Sequence, residues 1–193
     1  MQLSDRYRDA LIFAFDLHRA QERKGSGVPY VAHILGVSSL VLEYGGDEES
    51  AIAGLLHDAV EDQGGLMVLN RIEERFGAKV AAIVLACTDS HEVPKPPWQE
   101  RKRAYVAHLH VAAPDAQLVS ACDKLYNLRA ICADYRTVGE ALWGRFTGGR
   151  EGVLWYYREL AAAFTIDNPV VRDLRSTAAE LEGITLTRWE GPT

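Results

Sequence analysis

The chain has little cysteine, no long apolar run and no surplus of positive charge. Its three cysteines, Cys87, Cys122 and Cys132, include no CxxC pair. An odd number in apolar surroundings excludes a disulfide framework and fits buried thiols in a reducing cytosol. The longest purely apolar run, Val80 to Cys87, is far too short to span a bilayer. The opening residues MQLSDRYRDA contain no apolar signal region. A soluble, cytoplasmic protein is therefore expected. With 21 basic and 27 acidic residues the net charge is −6. That disfavours a general binder of nucleic acid or of anionic membranes, because both need a basic surface. It leaves room for a local basic pocket.

What is present is ordinary globular material. The 193 residues are 48% hydrophobic and 25% charged, which excludes a disordered chain. One domain of this length buries roughly 70% of its unfolded surface and needs no disulfide to hold a core. A single domain over 1–193 is expected, with a tail at 183–193.

The hydrophobic spacing is helical almost throughout. Helices are predicted over about 4–22, 33–44, 48–62, 66–76, 78–88, 98–110, 115–134, 148–164 and 169–182. Ser4 and Asp5 suit the start of the first, and Pro114 with Asp115 the start of the seventh. Gly25, Ser26, Gly27 and Pro29 set a loop, and Pro94, Pro96 and Pro97 exclude helix before Trp98. The tail GITLTRWEGPT reads as a short extended arm. The fold class is all-α, a single-domain helical bundle.

The chemistry concentrates in AIAGLLHDAVED. His57, Asp58, Glu61 and Asp62 follow a run of small apolar residues, where burying them is costly unless they bind something. Helical spacing puts the four on one side. An adjacent His and Asp offer a nitrogen and an oxygen to a hard or borderline cation. Two more ligands would close the site. His33 opens an amphipathic helix, and Asp123 is an acid inside the apolar helix LVSACDKLYNLR. Taken singly, His33 is an ordinary structural histidine, and Asp123 a buried acid paired with Lys124 or Arg129. Together the four make a ligand set compatible with Mn, Fe, Zn or Co.

The pattern His33, His57-Asp58 and Asp123 resembles the HD-domain metal phosphohydrolases. The words RKGSGVPYVAH, HDAVED and DKLYNLR resemble the hydrolase domain of RelA/SpoT enzymes, and most of all the small stand-alone alarmone hydrolases. The resemblance covers about residues 5–165. It implies an HD-type helical bundle and Mn²⁺-dependent removal of the 3′-pyrophosphate from (p)ppGpp- or (p)ppApp-type nucleotides. It implies that His33, His57, Asp58 and Asp123 hold the metal, with Glu61 and Asp62 activating water. It places Arg23, Lys24 and Ser26 in a substrate loop, Asn127 beside the ribose and Lys102 near the phosphates. The partner it implies is a small nucleotide, not a nucleic-acid polymer or a membrane. Ile34, Gln63 and Ala130 depart from the family pattern, which leaves the choice between guanine and adenine open.

Trp155, Tyr156 and Tyr157, with Arg150, read either as aromatics of the last core helix or as a base- and phosphate-binding group, with Arg150 in the substrate set. Two rival functions remain at this point: an HD phosphohydrolase acting on NADPH, a dinucleotide or a nucleoside monophosphate, and a non-catalytic nucleotide-binding module.

Overall fold

The computed structural model describes residues 2–90 and 94–186. Helix α1 (Asp5–His18) is capped by Ser4, whose side chain accepts from the Arg6 amide. It stops four residues earlier than its apolar spacing suggests. The chain there enters a closed loop in which the Arg23 amide donates to Val28 and the Tyr30 amide to Gln21, both at 2.8 Å. A single bridge between Glu22 and Pro29 results.

Helix α2 (Val31–Glu43) follows, and the Gly45–Gly46 turn sends the chain into α3 (Glu48–Leu56), capped by Asp47 on the Ser50 amide. Ser50, Ala51, Ile52, Ala53, Gly54, Leu55 and Leu56 are all buried, so α3 runs through the core with no wet face beyond its first residues. Gly54 is required by packing. A Cβ there would sit 3.1 Å from Ser38 Cα, so its absence lets α2 and α3 approach closely. That approach brings His33 beside His57.

The helix predicted over 48–62 is two helices. It breaks at His57–Asp58, where Asp58 has φ −96° and ψ −2°, and resumes as α4 (Ala59–Gln63). The side chain of His57 caps the break by donating Nδ1–H to the Gly54 carbonyl. The polar residues that the spacing would place along one helical face thus occupy a corner.

Helices α5 (Gly65–Phe76), α6 (Ala78–Cys87) and α7 (Trp98–Val111) lead to the long central α8 (Pro114–Val138). Pro114 occupies its first turn, where a missing amide hydrogen costs nothing. Helix α8 runs past the predicted end at 134 because Tyr135 is buried on its inner side. It packs against α2, α3, α6 and α10 (Pro169–Leu186). A 3₁₀ segment (Gly139–Arg145), unforeseen from the spacing, and α9 (Gly149–Ala163) complete the bundle. Helix α10 reaches Leu186, so the first residues of the expected extended tail are helical, and 187–193 lie outside the described residues. The architecture is the expected all-α bundle. Cys87, Cys122 and Cys132 are free and buried. Among the described residues no helix is long and apolar enough to cross a membrane.

Candidate metal centre and adjoining cavity

Three separate stretches meet at one point. His33 comes from the first turn of α2, His57 and Asp58 from the corner between α3 and α4, and Asp123 from the middle of α8. One donor atom from each lies within 4.8 Å of all the others. His33 Nε2 is 3.2 Å from His57 Nε2 and 3.3 Å from both Asp58 Oδ2 and Asp123 Oδ1. His57 Nε2 is 2.8 Å from Asp58 Oδ2 and 3.5 Å from Asp123 Oδ1.

Neighbouring groups aim these donors. The 2.9 Å bond from His57 Nδ1 to the Gly54 carbonyl needs the proton on Nδ1, which turns Nε2 towards the acids. Tyr30 Oη donates to Asp58 Oδ2, and the Tyr30 ring is stacked on buried His18 with centroids 5.3 Å apart. Asp123 accepts from Asn127 Nδ2 on Oδ1 and from Lys124 Nζ on Oδ2, each at 2.6 Å. The pairing with Lys124 therefore coexists with convergence on the histidines, while Arg129 turns to Asp173 at 3.7 Å.

The electrostatics fit a cation site. Burial opposes a charged His57, yet Asp58 and Asp123 outweigh it and hold the imidazole well above its usual range. Burial likewise opposes charge on Asp123, but Lys124 and His57 keep it well below the carboxylate range. His57 and the two carboxylates thus hold opposite charges in a space where one divalent ion could take the place of the proton on His57. Donor separations near 3 Å suit neighbouring ligands that each lie about 2.1 Å from one ion. The donor set fits a borderline first-row metal.

Glu61 and Asp62 lie one turn past the corner and outside the four-donor cluster. Glu61 accepts from Lys95 at 2.7 Å, and Asp62 from Gln21 at 2.8 Å. Burial, reinforced by the Asp58 charge, raises the Asp62 pKa. Asp62 is thereby suited to carry a proton.

Beside the centre opens a cavity of about 1020 Å³, at the upper end of the range for small-ligand sites. Tyr30, Lys124 and Asn127 line it, and each bonds to Asp58 or Asp123. Of the substrate residues expected from sequence, Arg23, Lys24, Ser26, Lys102 and Asn127 all line this cavity. Arg23 Nη2 donates to Asn127 Oδ1 at 3.0 Å, and its guanidinium lies 5.4 Å from the Tyr126 ring centre. Lys102 donates to Asp89 at 3.0 Å, and burial beside Lys124 lowers its pKa.

Arg150 does not join them, contrary to the sequence expectation. It donates to the Thr185 carbonyl and ties α9 to α10, because its position on α9 faces the end of α10. The aromatic run divides. Tyr156 and Tyr157 are core residues that also line the cavity, whereas Trp155 does not line it and packs on Trp98 with centroids 6.2 Å apart. Sequence reasoning missed Tyr30, Lys95, Gln21 and Arg145. Tyr30 stands one turn before His33, a spacing that could have drawn attention. Lys95, Gln21 and Arg145 reach their partners only through the fold.

A family description of the HD domain matches residues 10–154. The chain belongs to the HD-domain family. The mouse guanosine-3′,5′-bis(diphosphate) 3′-pyrophosphohydrolase MESH1 is 36% identical to this HD protein over 179 residues, covering 90% of this chain and 87% of the relative. The human MESH1 is 40% identical over 124 residues, 63% of this chain and 66% of the relative. Among solved structures, a metazoan SpoT ortholog described as hydrolysing ppGpp superposes with a TM-score of 0.79 at 26% identity. That superposition covers 93% of this chain and 97% of the other.

Proposed function

We propose that this HD protein hydrolyses the 3′-pyrophosphate of guanosine 3′,5′-bis(diphosphate)-type nucleotides, with Mn²⁺ as its metal. The observation that carries the reading is the four-donor cluster set beside a cavity with basic walls, joined to it through Tyr30, Lys124 and Asn127, which line the cavity and bond the two carboxylates. The similarity to 3′-pyrophosphohydrolases across most of both chains supports the same substrate class. The buried free thiols support a reducing cytoplasm.

His33, His57, Asp58 and Asp123 would hold the ion. When bound, a divalent cation lowers the pKa of water and offsets phosphate charge. Tyr30, Asn127 and Lys124 fix the two carboxylates, so these donors are oriented before anything binds. Glu61 and Asp62 act on protons. One takes the proton from the attacking water, and Asp62, with its raised pKa, returns one to the departing ribose 3′-oxygen. Water and substrate thus become pyrophosphate and a nucleotide with a free 3′-hydroxyl. Arg23 and Lys24 receive phosphate oxygens, Arg23 as a planar fork and Lys24 as a point charge. Lys102 adds charge from the same cavity, Ser26 holds the loop and Asn127 meets the ribose.

The test is incubation with Mn²⁺ and each of ppGpp, ppApp, NADPH and simple mononucleotides, with products identified. Release of pyrophosphate from a 3′-pyrophosphorylated purine nucleotide is the expected result. Turnover of the controls with both alarmones untouched would refute it.

A further inference from the structure

The proposed reaction needs the protein to recognise two phosphates on the 3′ side, and the expected substrate residues do not say which groups meet the outer one. Helix α9 supplies a group with no other evident purpose. Tyr156 is 7% exposed, and its hydroxyl is buried without a hydrogen-bond partner within the protein. Buried hydroxyls are nearly always paired, because removing them from water unpaired is costly. Phenylalanine would fill the same volume without that cost. A hydroxyl kept in such a place calls for a ligand that meets it.

Its surroundings define the ligand. Tyr156 lines the cavity together with Lys102 and Lys124. Lys102 Nζ lies 4.9 Å from the Tyr156 ring centre. Lys124 lies on the boundary between centre and cavity, since it bonds Asp123 Oδ2 while Asp123 Oδ1 faces the histidines. Lys102 and Lys124, which in the free protein pair with Asp89 and Asp123, keep further N–H donors beside the free O–H of Tyr156, a set that suits a phosphate group. Arg23 Nη1, on the same cavity, is likewise buried and unpartnered. The phosphorus under attack must sit at the metal centre, and Lys124, which bonds Asp123 and lines the cavity, puts the Tyr156 wall within reach of the next phosphate outward.

We propose that Tyr156, with Lys102 and Lys124, forms the subsite for the outer phosphate of the 3′-pyrophosphoryl group. Tyr156 Oη donates to a terminal phosphate oxygen, and the two ammonium groups balance its charge. This assignment rests on the proposed reaction for its position, but the anion site itself does not depend on turnover. It gives a reason why a pyrophosphoryl group is preferred over a single phosphate, since a 3′-monophosphate would leave these three groups unused.

The decisive comparison is Tyr156→Phe against Tyr105→Phe in the full chain. Tyr105 is also buried, but its hydroxyl is 2.7 Å from Ser120 Oγ. Calorimetric titration with inorganic pyrophosphate, thermal melting without ligand and KM for ppGpp are the readouts. Tyr156→Phe should weaken pyrophosphate binding about tenfold or more, as expected for one hydrogen bond to a charged acceptor. It should raise KM for ppGpp and leave Tm equal or higher. Tyr105→Phe should do the reverse, lowering Tm with pyrophosphate affinity unchanged. Wild-type pyrophosphate affinity in Tyr156→Phe, or no measurable pyrophosphate binding by the wild type, would overturn the subsite. If the wild type turned over no ppGpp while Tyr156→Phe still lost pyrophosphate affinity, the proposed reaction would fail, and with it the assignment to the 3′-pyrophosphoryl group, while the anion site at Tyr156 would stand.

Discussion

At the metal centre, His57 Nδ1 and both oxygens of Asp123 are held by protein groups, whereas on the cavity wall Arg23 Nη1 and Tyr156 Oη are held by none. The first region is largely held by folding, with His33 Nδ1 the one ring nitrogen there left buried without a partner. The second keeps donors in reserve. The contrast teaches which kind of damage each region should show. Substitution at the centre removes something the fold already holds in place, and so should abolish the metal. Substitution on the wall leaves the free protein intact and should weaken what arrives later.

The sharpest way to break this contrast is Asp123→Ala. It should abolish tight metal binding and activity while circular dichroism stays helical. Metal analysis of the purified variant is the check, and full metal content would remove Asp123 from the ligand set. Next in size are Glu61→Gln and Asp62→Asn. Both lie outside the four-donor cluster, so metal should remain while kcat falls by about 10²–10⁴. Loss of metal in both would move them into the centre. The smallest effect belongs to the wall. Arg23→Ala should lower kcat/KM roughly ten- to a hundred-fold for every substrate alike, the worth of one charge-assisted hydrogen bond. A loss confined to one base would mean that Arg23 reads the base and not phosphate.

The same contrast explains what could be read from the sequence. Three of the four cluster residues were legible because each is a polar residue at a place where apolar spacing demands an apolar one, while His33 was legible only beside them. His57 and Asp58 interrupt α3, and Asp123 interrupts α8. The break at His57–Asp58 was not legible, because a corner between two helices preserves nearly the same apolar spacing as one continuous helix. The partners of the acidic pair Glu61 and Asp62 were harder still. Gln21 meets Asp62 across 41 positions and Lys95 meets Glu61 across 34, with nothing local to mark either pair. Arg150 misled for the converse reason. Its neighbours in sequence are cavity residues, but the direction of its side chain is set by the end of α10. A 3₁₀ segment such as 139–145 carries too few residues to leave a periodic trace.

The closed loop between α1 and α2 bears on the rate at which substrate is captured. Its backbone hydrogen bonds, from Arg23 to Val28, Ser26 to Arg23 and Tyr30 to Gln21, lock the segment carrying Arg23, Lys24 and Ser26. Gly25 and Gly27 take the positive φ angles that this tight path needs, 76° and 68°. A Cβ on Gly25 would also come within 2.9 Å of Arg145 Cδ, another side chain of the cavity wall. A flexible loop would lose conformational entropy each time it closed on phosphate. Here that ordering falls on folding, once per molecule, and not on every encounter. Association should then proceed in a single step whose rate rises linearly with nucleotide concentration, without the plateau that a closing loop imposes.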